Sequence, residues 1–478
     1  MGEPASSSRH RGSNLPSLPR LVLLHFGVLL IFTSWAFGGQ APWARQVIVW
    51  WGTIGMGLFL FVCLAHRPAD GRLHPALRLL WPLWVYDAII IASCFNPGFR
   101  EAVREGQVSL VLADPNPWLP SAAVPRLAAR ELWQFNGIVL SCFNLLLVLH
   151  RRQLVRQVLF LIAGNAVVLA VFGTFQQLVR APGLWFGAVK SPNEHFFATF
   201  IYHNHWGAFT LLNLCACLGL LFHYYRRGGH RDVWHSPVLL GAVATLLLAT
   251  SIPLSTSRSC TVLAAFLLLA ALLHLLVRVV RQRRARYEPY AGPVAAIVLA
   301  AAVALGGIAY LGRDVIAQRS RLTSEQFTKL TADGTLTARA VLYRDTWHMA
   351  AAKPWFGWGL ESYARVFRIF NTQRAIEVWV WSPFYAEAHN DWLQSLAEVG
   401  FVGTGLLALL VLLPLASVRW RRTQSVIPRY LLAGCGVVLL YAWLEFPFAN
   451  RVVMLTFCAV FYCAIRYAEL DANLADDA

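Results

Sequence analysis

Residues 388–418 read AHNDWLQSLAEVGFVGTGLLALLVLLPLASV. Beyond Asp391 the run carries one ionisable residue, Glu398, and it exceeds the roughly 20 apolar residues that a helix needs to cross the hydrocarbon core of a bilayer. Ahead of it, Ala388-His389-Asn390 sets an imidazole and an amide where an extramembrane loop turns into that helix. The pattern asks for a membrane span with chemistry at its mouth.

Comparable runs recur in both directions along the chain. Spans are expected near Leu21–Gly38, Val47–Ala65, Ala76–Phe95, Leu132–His150, Val155–Leu178, Thr199–Phe222, Ser236–Ile252, Thr261–Val280, Gly292–Leu311, Asp391–Val418, Tyr430–Leu444 and Val452–Ile465. With 57% apolar and only 14% charged residues among 478, a water-soluble domain of this length is excluded. The expected fold class is all-α: a polytopic membrane helix bundle of about twelve spans with one long, mostly helical outer loop. The nine cysteines fall within or at the edge of spans and none forms a Cys-x-x-Cys pair, so they read as small packing residues.

Arginines set the orientation. Just over half of the 41 basic residues, among them Arg151, Arg152, Arg156, Arg281, Arg283, Arg284, Arg286, Arg419, Arg421 and Arg422, fall in short segments on the side that holds the N-terminus, as cytoplasmic segments do. The division is then a cytoplasmic N-terminal tail 1–20, nine spans in 21–311, a long outer loop 312–390 carrying the candidate residues, three spans in 391–465, and a cytoplasmic C-terminal tail 466–478. A net charge of +17 does not point to nucleic acid here. Topology and anionic lipid heads account for its inner half, and the surplus on the outer side points to an anionic partner.

Outside the membrane three regions stand out. Asn96–Glu131 is rich in Pro and Ala and is expected to be half-ordered. Val179–Ala198 leads into Phe200-Ile201-Tyr202-His203-Asn204-His205-Trp206-Gly207-Ala208 at a span mouth. In the long loop, Thr337–Ala352 has helical period and stops at Pro354; Phe356-Gly357-Trp358-Gly359 makes a turn, and a second short helix is expected over Glu361–Phe370.

Each candidate residue has a plain reading beside its functional one. Arg258 follows Ser255-Thr256-Ser257 in a tight outer loop at the mouth of a span. It is either a snorkelling interfacial arginine or a grip on phosphate, which the planar guanidinium suits. Arg339 lies in the first turn of its helix, where free backbone N–H groups favour an anion; Arg344 is its rival nearby. His389 can take a proton from a hydroxyl, or it is a surface or capping residue. Asn390 reads first as a helix cap, Glu398 as an interior hydrogen-bond partner, and Asn204 as a packing or carrier contact. His203 and His205 invite a zinc reading that lacks a Cys or carboxylate pair, so no metal is expected. Trp379, Trp381, Phe384 and Tyr385 read as an interfacial belt or a sugar-stacking wall.

In sum, Arg339, Tyr343, Pro354, Gly357 and Gly359, then His389-Asn390, Leu393-Gln394, Glu398, Gly400 and Gly403, together with Asn204-His205-Trp206-Gly207-Ala208, Ser255-Thr256-Ser257-Arg258-Ser259 and Glu445-Phe446-Pro447, resemble the O-antigen ligase superfamily. That superfamily includes O-antigen polymerases and bacterial O-oligosaccharyltransferases, and the likeness runs over roughly residues 130–465. It implies a membrane glycosyltransferase of lipopolysaccharide or polysaccharide biosynthesis. The donor would be a glycan on undecaprenyl pyrophosphate, the acceptor a glycolipid, glycan or protein hydroxyl, and no cofactor would be required. His389 would be the general base, with Arg258 and Arg339 on the pyrophosphate. Asn390, Asn204, Arg344 and Glu398 would be secondary. A polysaccharide transporter or flippase would call for broken helices and mid-bilayer charge; a catalytically silent scaffold is the third alternative.

Overall fold

A computed structural model describes residues 18–65, 75–104, 107–227, 237–304, 306–307, 338–372 and 385–476. Among these residues, nine helices precede the outer loop: α1 (Leu18–Trp35), α2 (Pro42–Ala65), α3 (Trp81–Cys94), α4 (Pro125–Val148), α5 (Arg152–Leu178), α6 (His203–Arg227), α7 (Pro237–Leu254), α8 (Arg258–Ala285) and α9 (Ala291–Ala304). The described part of the loop holds α10 (Ala338–Ala352) and α11 (Tyr363–Phe370), and after it come α12 (Asp391–Ser417), α13 (Ile427–Tyr441) and α14 (Arg451–Asp476). Ten helices, counting α3 with the 3₁₀ turn Pro75–Leu80 that precedes it, are long and apolar enough to cross a membrane, and α9 and α13 are shorter apolar helices. Each of the twelve expected spans therefore meets a helix. The last one runs on to Asp476, so residues 466–476, expected as tail, continue α14. Arg466 there donates to the Leu149 carbonyl and pairs with Glu469, and Asp471 accepts from Arg152 and from the Gln424 and Ser425 amides.

The helices sort by how much protein surrounds them. α4, α6 and α14 are buried along most of their length, whereas α8 shows nearly all of its surface to the outside. Where two spans touch most closely the contact is glycine on glycine: a Cβ on Gly52 of α2 would stand 3.0 Å from the Gly137 Cα of α4. Close backbone approach is how membrane helices gain dispersion contact when lipid is as apolar as leucine. Asp87, mid-span in α3, accepts from Asn136 of α4 at 2.9 Å.

The outer face has a core of its own, built from Phe99, Ala123, Leu342, Met349, Tyr363, Val366, Phe367, Ala388 and Ala397. Part of it departs from the all-α expectation. Two antiparallel strands, β1 (Phe99–Arg104) and β2 (Gln107–Leu112), pair with Phe99 opposite Leu112 and Arg104 opposite Gln107. Short runs containing Val103, Val108 and Val111 favour a pleat, so a segment expected to be half-ordered forms a hairpin. The long loop behaves as its period suggested: α10 ends at Ala352 just before Pro354, and α11 begins at Tyr363.

α12 is broken at Gly400, whose φ of 66° and ψ of −172° lie outside the range of ordinary L residues. The loop after α10 fills the break. Trp358 and Gly359 donate their amides to the carbonyls of Ala397 and Glu398 at 3.0 and 2.8 Å, while Phe401 and Val402 donate to Pro354 and Trp355 at 2.8 and 3.1 Å. A Cβ on Gly400 would lie 2.3 Å from the Trp355 carbonyl oxygen, so only glycine fits. Two amides and two carbonyls of α12 beside the break thus find partners in the loop, as a bilayer demands of backbone groups. The same contacts fix the start of α12, and with it His389, beneath the outer core.

Candidate active site

His389 immediately precedes the N-cap of α12 and adopts a left-handed φ of 52°. A non-glycine residue holds that conformation only when its surroundings impose it. On the C-terminal side, Asn390 caps the helix, accepting from the Leu393 amide at 3.0 Å, and the Asp391 carboxylate accepts from the Phe448 amide at 2.9 Å. On the N-terminal side, Gln394 reaches back to receive the Ala388 amide at 2.9 Å and donates to Glu387 at 2.7 Å. From above, Tyr343 of α10 donates its hydroxyl to the His389 carbonyl at 2.8 Å. The imidazole therefore projects from a fixed base.

Its partner is Glu445, in the turn between α13 and α14. The His389 Nδ1 lies 3.3 Å from Glu445 Oε2, and Arg339 reaches Glu445 Oε1 at 2.5 Å while a second guanidinium nitrogen donates to the Leu444 carbonyl at 3.4 Å. Burial would raise the Glu445 carboxyl, but the hydrogen bond from His389 and the positive charge of Arg339 outweigh it and hold the group below its usual value. An ionised carboxylate only accepts, so Nδ1 carries a proton, and in the neutral imidazole Nε2 is then the acceptor. The Phe446 ring stands edge-on to the imidazole with centroids 4.6 Å apart. About 29% of the His389 side chain remains exposed.

Glu445 also receives the Tyr202 hydroxyl at 3.3 Å, and from there a chain runs toward Arg258. Asn204 donates to Tyr202 at 2.8 Å, and Ser257 donates to Asn204 at 2.7 Å. Ser257 is the N-cap of α8, yet its hydroxyl is turned to Asn204 and caps nothing, so the first amides of α8 are free of a side-chain cap. Arg258 follows at the first helical position and is exposed. Thr256 before it takes a left-handed φ of 69°, which makes the loop tight. His389 and Arg339 thus meet directly on one carboxylate, and Arg258 stands at the far end of the hydrogen-bond chain that leads to it.

The secondary candidates separate. Asn204 is a link in that chain, and Asn390 is the cap. Glu398 accepts from the amides of Glu361 and Tyr363 at 3.1 and 3.0 Å, tying the loop to α12. Arg344 turns away from the site and bonds to Asp345 at 3.1 Å and Thr372 at 2.7 Å. His205 bonds through Nε2 to the Phe446 carbonyl at 3.2 Å, whereas His203 bonds the His195 carbonyl at 3.2 Å, so the pair face different partners. Trp379, Trp381 and Phe384 lie outside the described residues; Tyr385 packs against Phe367 in the outer core.

Glu445, Tyr202 and Tyr343 are the members whose roles sequence did not assign. Glu445 and Tyr343 stand in quoted motifs, and the signal for Glu445 was an acid placed directly after an apolar run. What it bridges is a matter of tertiary contact.

The bundle and the site define a polytopic membrane protein that pairs an oriented imidazole with outward-facing guanidiniums. Residues 242–408 match the family model described as O-antigen ligase, a stretch that contains Arg258, Arg339, His389 and the break at Gly400. Over that segment, about a third of the chain, the protein is similar to O-antigen ligases. No curated protein matches the chain.

Proposed function

We propose that the protein transfers a glycan from an undecaprenyl pyrophosphate carrier to an acceptor hydroxyl on the periplasmic face of the bacterial inner membrane, with both termini in the cytoplasm. The observation that carries this reading is the grip of Glu445 on both His389 and Arg339. It fixes the imidazole in the tautomer whose Nε2 can accept a proton, in the manner of a carboxylate–histidine pair.

In the proposed step the acceptor oxygen attacks the anomeric carbon as His389 Nε2 takes its proton. The bond from that carbon to the pyrophosphate oxygen breaks, and its electron pair leaves with the lipid pyrophosphate. Glu445 stabilises the imidazolium that forms. Arg339 is half neutralised by Glu445, so most of the field on the departing anion comes from Arg258 and the uncapped amides of α8, where such charge is favoured. α10 and α11, which build the outer core, would hold the acceptor side of the site.

The test is transfer by purified protein in detergent, given a lipid-linked glycan and an acceptor glycolipid. Product formed without a second compartment rules out a pure flippase. Normal transfer by a correctly inserted His389→Ala protein would end the assignment.

A further inference from the structure

Beside the Glu387–Asp391 segment lies a cavity of about 510 Å³ whose lining includes Glu387 and Asp391 but not His389, Arg339 or Glu445, well inside the range of small-molecule sites, roughly 300–1,000 Å³. α12 packs on α3 and α10, and residues of α4, α12, α13 and α14 line the cavity. Its inner walls are hydrocarbon: Val139, Leu407, Leu410, Leu439, Met454 and Phe457 among others. Its outer end carries Arg45, Arg451, Glu131, Glu361 and Glu387. An apolar shaft with a charged end within a membrane bundle has the shape of an amphiphile.

The charges at that end specify which amphiphile. Arg451, only 5% exposed, pairs with Glu131 at 2.7 Å, and its Nε is buried without a partner, as is that of Arg45. Glu361 and Glu387 face the opposite deficit. Among the described residues neither forms an ion pair, and Glu387 has only the Gln394 amide. Burial raises both carboxyls, Glu131 adding to the rise of Glu361 and Glu361 to that of Glu387; Glu387 is pushed up to about 7 despite the attraction of Arg451 and Arg45. An anionic head would satisfy the guanidiniums and repel the carboxylates. A simple cation would do the reverse. A head carrying phosphate and primary ammonium together answers both deficits.

We propose that the cavity binds a zwitterionic phospholipid of the phosphatidylethanolamine type, phosphate toward Arg45 and Arg451, ammonium toward Glu361 and Glu387, and an acyl chain between α12 and α14. This site is separate from the His389 constellation and does not depend on the transfer reading.

The experiment is native mass spectrometry and thermal unfolding of the full chain in micelles doped with dioleoyl-phosphatidylethanolamine or dioleoyl-phosphatidylglycerol. Retention of the ethanolamine lipid should be roughly tenfold tighter, the effect of about 1.4 kcal/mol in differential binding. Glu361→Gln with Glu387→Gln should erase the preference, and Ala408→Trp, which fills the apolar shaft, should weaken both lipids. Equal or tighter binding of the glycerol lipid to the native protein overturns the proposal. So does an ethanolamine preference that survives the double glutamine change, or lipid binding undiminished by Ala408→Trp, a variant that keeps the test open should the double variant fail to fold.

Discussion

The two faces of the Glu387–Asp391 segment treat buried carboxylates in opposite ways. On one face Glu445 is buried between an imidazole and a guanidinium and is held below its ordinary value. On the other, Glu387 is half-buried near a second carboxyl, that of Glu361, with the Gln394 amide as its hydrogen-bond partner, and it rises to about 7. Burial acts the same way on both. The difference lies in whether a cation stands within bonding distance, and it separates a site finished in advance for proton transfer from one that still lacks a counter-charge.

Breaking the first face should have the largest effects. His389→Ala should lower transfer by roughly 10²–10⁴-fold, the usual worth of a general base, with membrane insertion unchanged by protease accessibility. Glu445→Gln keeps size and burial but no longer holds the imidazole tautomer; a loss of roughly 10²-fold in kcat is expected, partly restored in Glu445→Asp. Wild-type kcat indistinguishable from Glu445→Gln would show that the bridge is only structural.

The second face is sharpened by pH. Glu387 binds its proton more tightly folded than unfolded, so its contribution is full below the ordinary carboxylate value and is lost as pH rises through about 7. Thermal stability in lipid-free detergent should fall between pH 5 and pH 8 by on the order of 2 kcal/mol, and Glu387→Gln should flatten that slope. The sign for Glu445 is reversed: its contribution is present above the ordinary value and persists until the pH drops through its lowered one. Acid should therefore leave the His389 bridge intact at pH 5.

Smaller effects follow at the edges of the first face. Arg258→Ala and Arg339→Ala should raise KM for the lipid-linked donor roughly ten- to a hundredfold, as loss of charge-assisted contacts does, with less change in acceptor KM. Tyr343→Phe removes one hydrogen bond to the His389 carbonyl and should cost about 1 kcal/mol in unfolding free energy.

Much of this architecture could be read from hydropathy, because a bilayer permits few ways to bury a backbone. The twelve apolar helices, the stop of α10 before Pro354 and the cap at Asn390 all follow from local rules. The hairpin at Phe99–Leu112 did not, since its strands are short and lie in a Pro-rich context. Nor did the break in α12: Gly400 and Gly403 were visible, but the loop that occupies the gap is fixed by contacts between Trp355, Trp358 and Ala397. Among site residues, His389 and Arg339 stood in motifs, while their convergence on Glu445 depends on α10, α12 and the α13–α14 turn meeting in space. The expectation that broken helices would mark a transporter also needs qualification, because this break is closed by the protein's own loop.

That closure has a consequence for assembly. The segment Pro354–Gly359 leaves the ribosome before α12 does, so the donors and acceptors that mend the helix exist before the defect is made. Were the loop shortened or its Gly357–Gly359 turn stiffened, the nascent α12 would meet the bilayer with bare amides at Phe401 and Val402. The expected failure is then one of membrane integration, seen as degradation of the newly made chain, ahead of any change in catalysis.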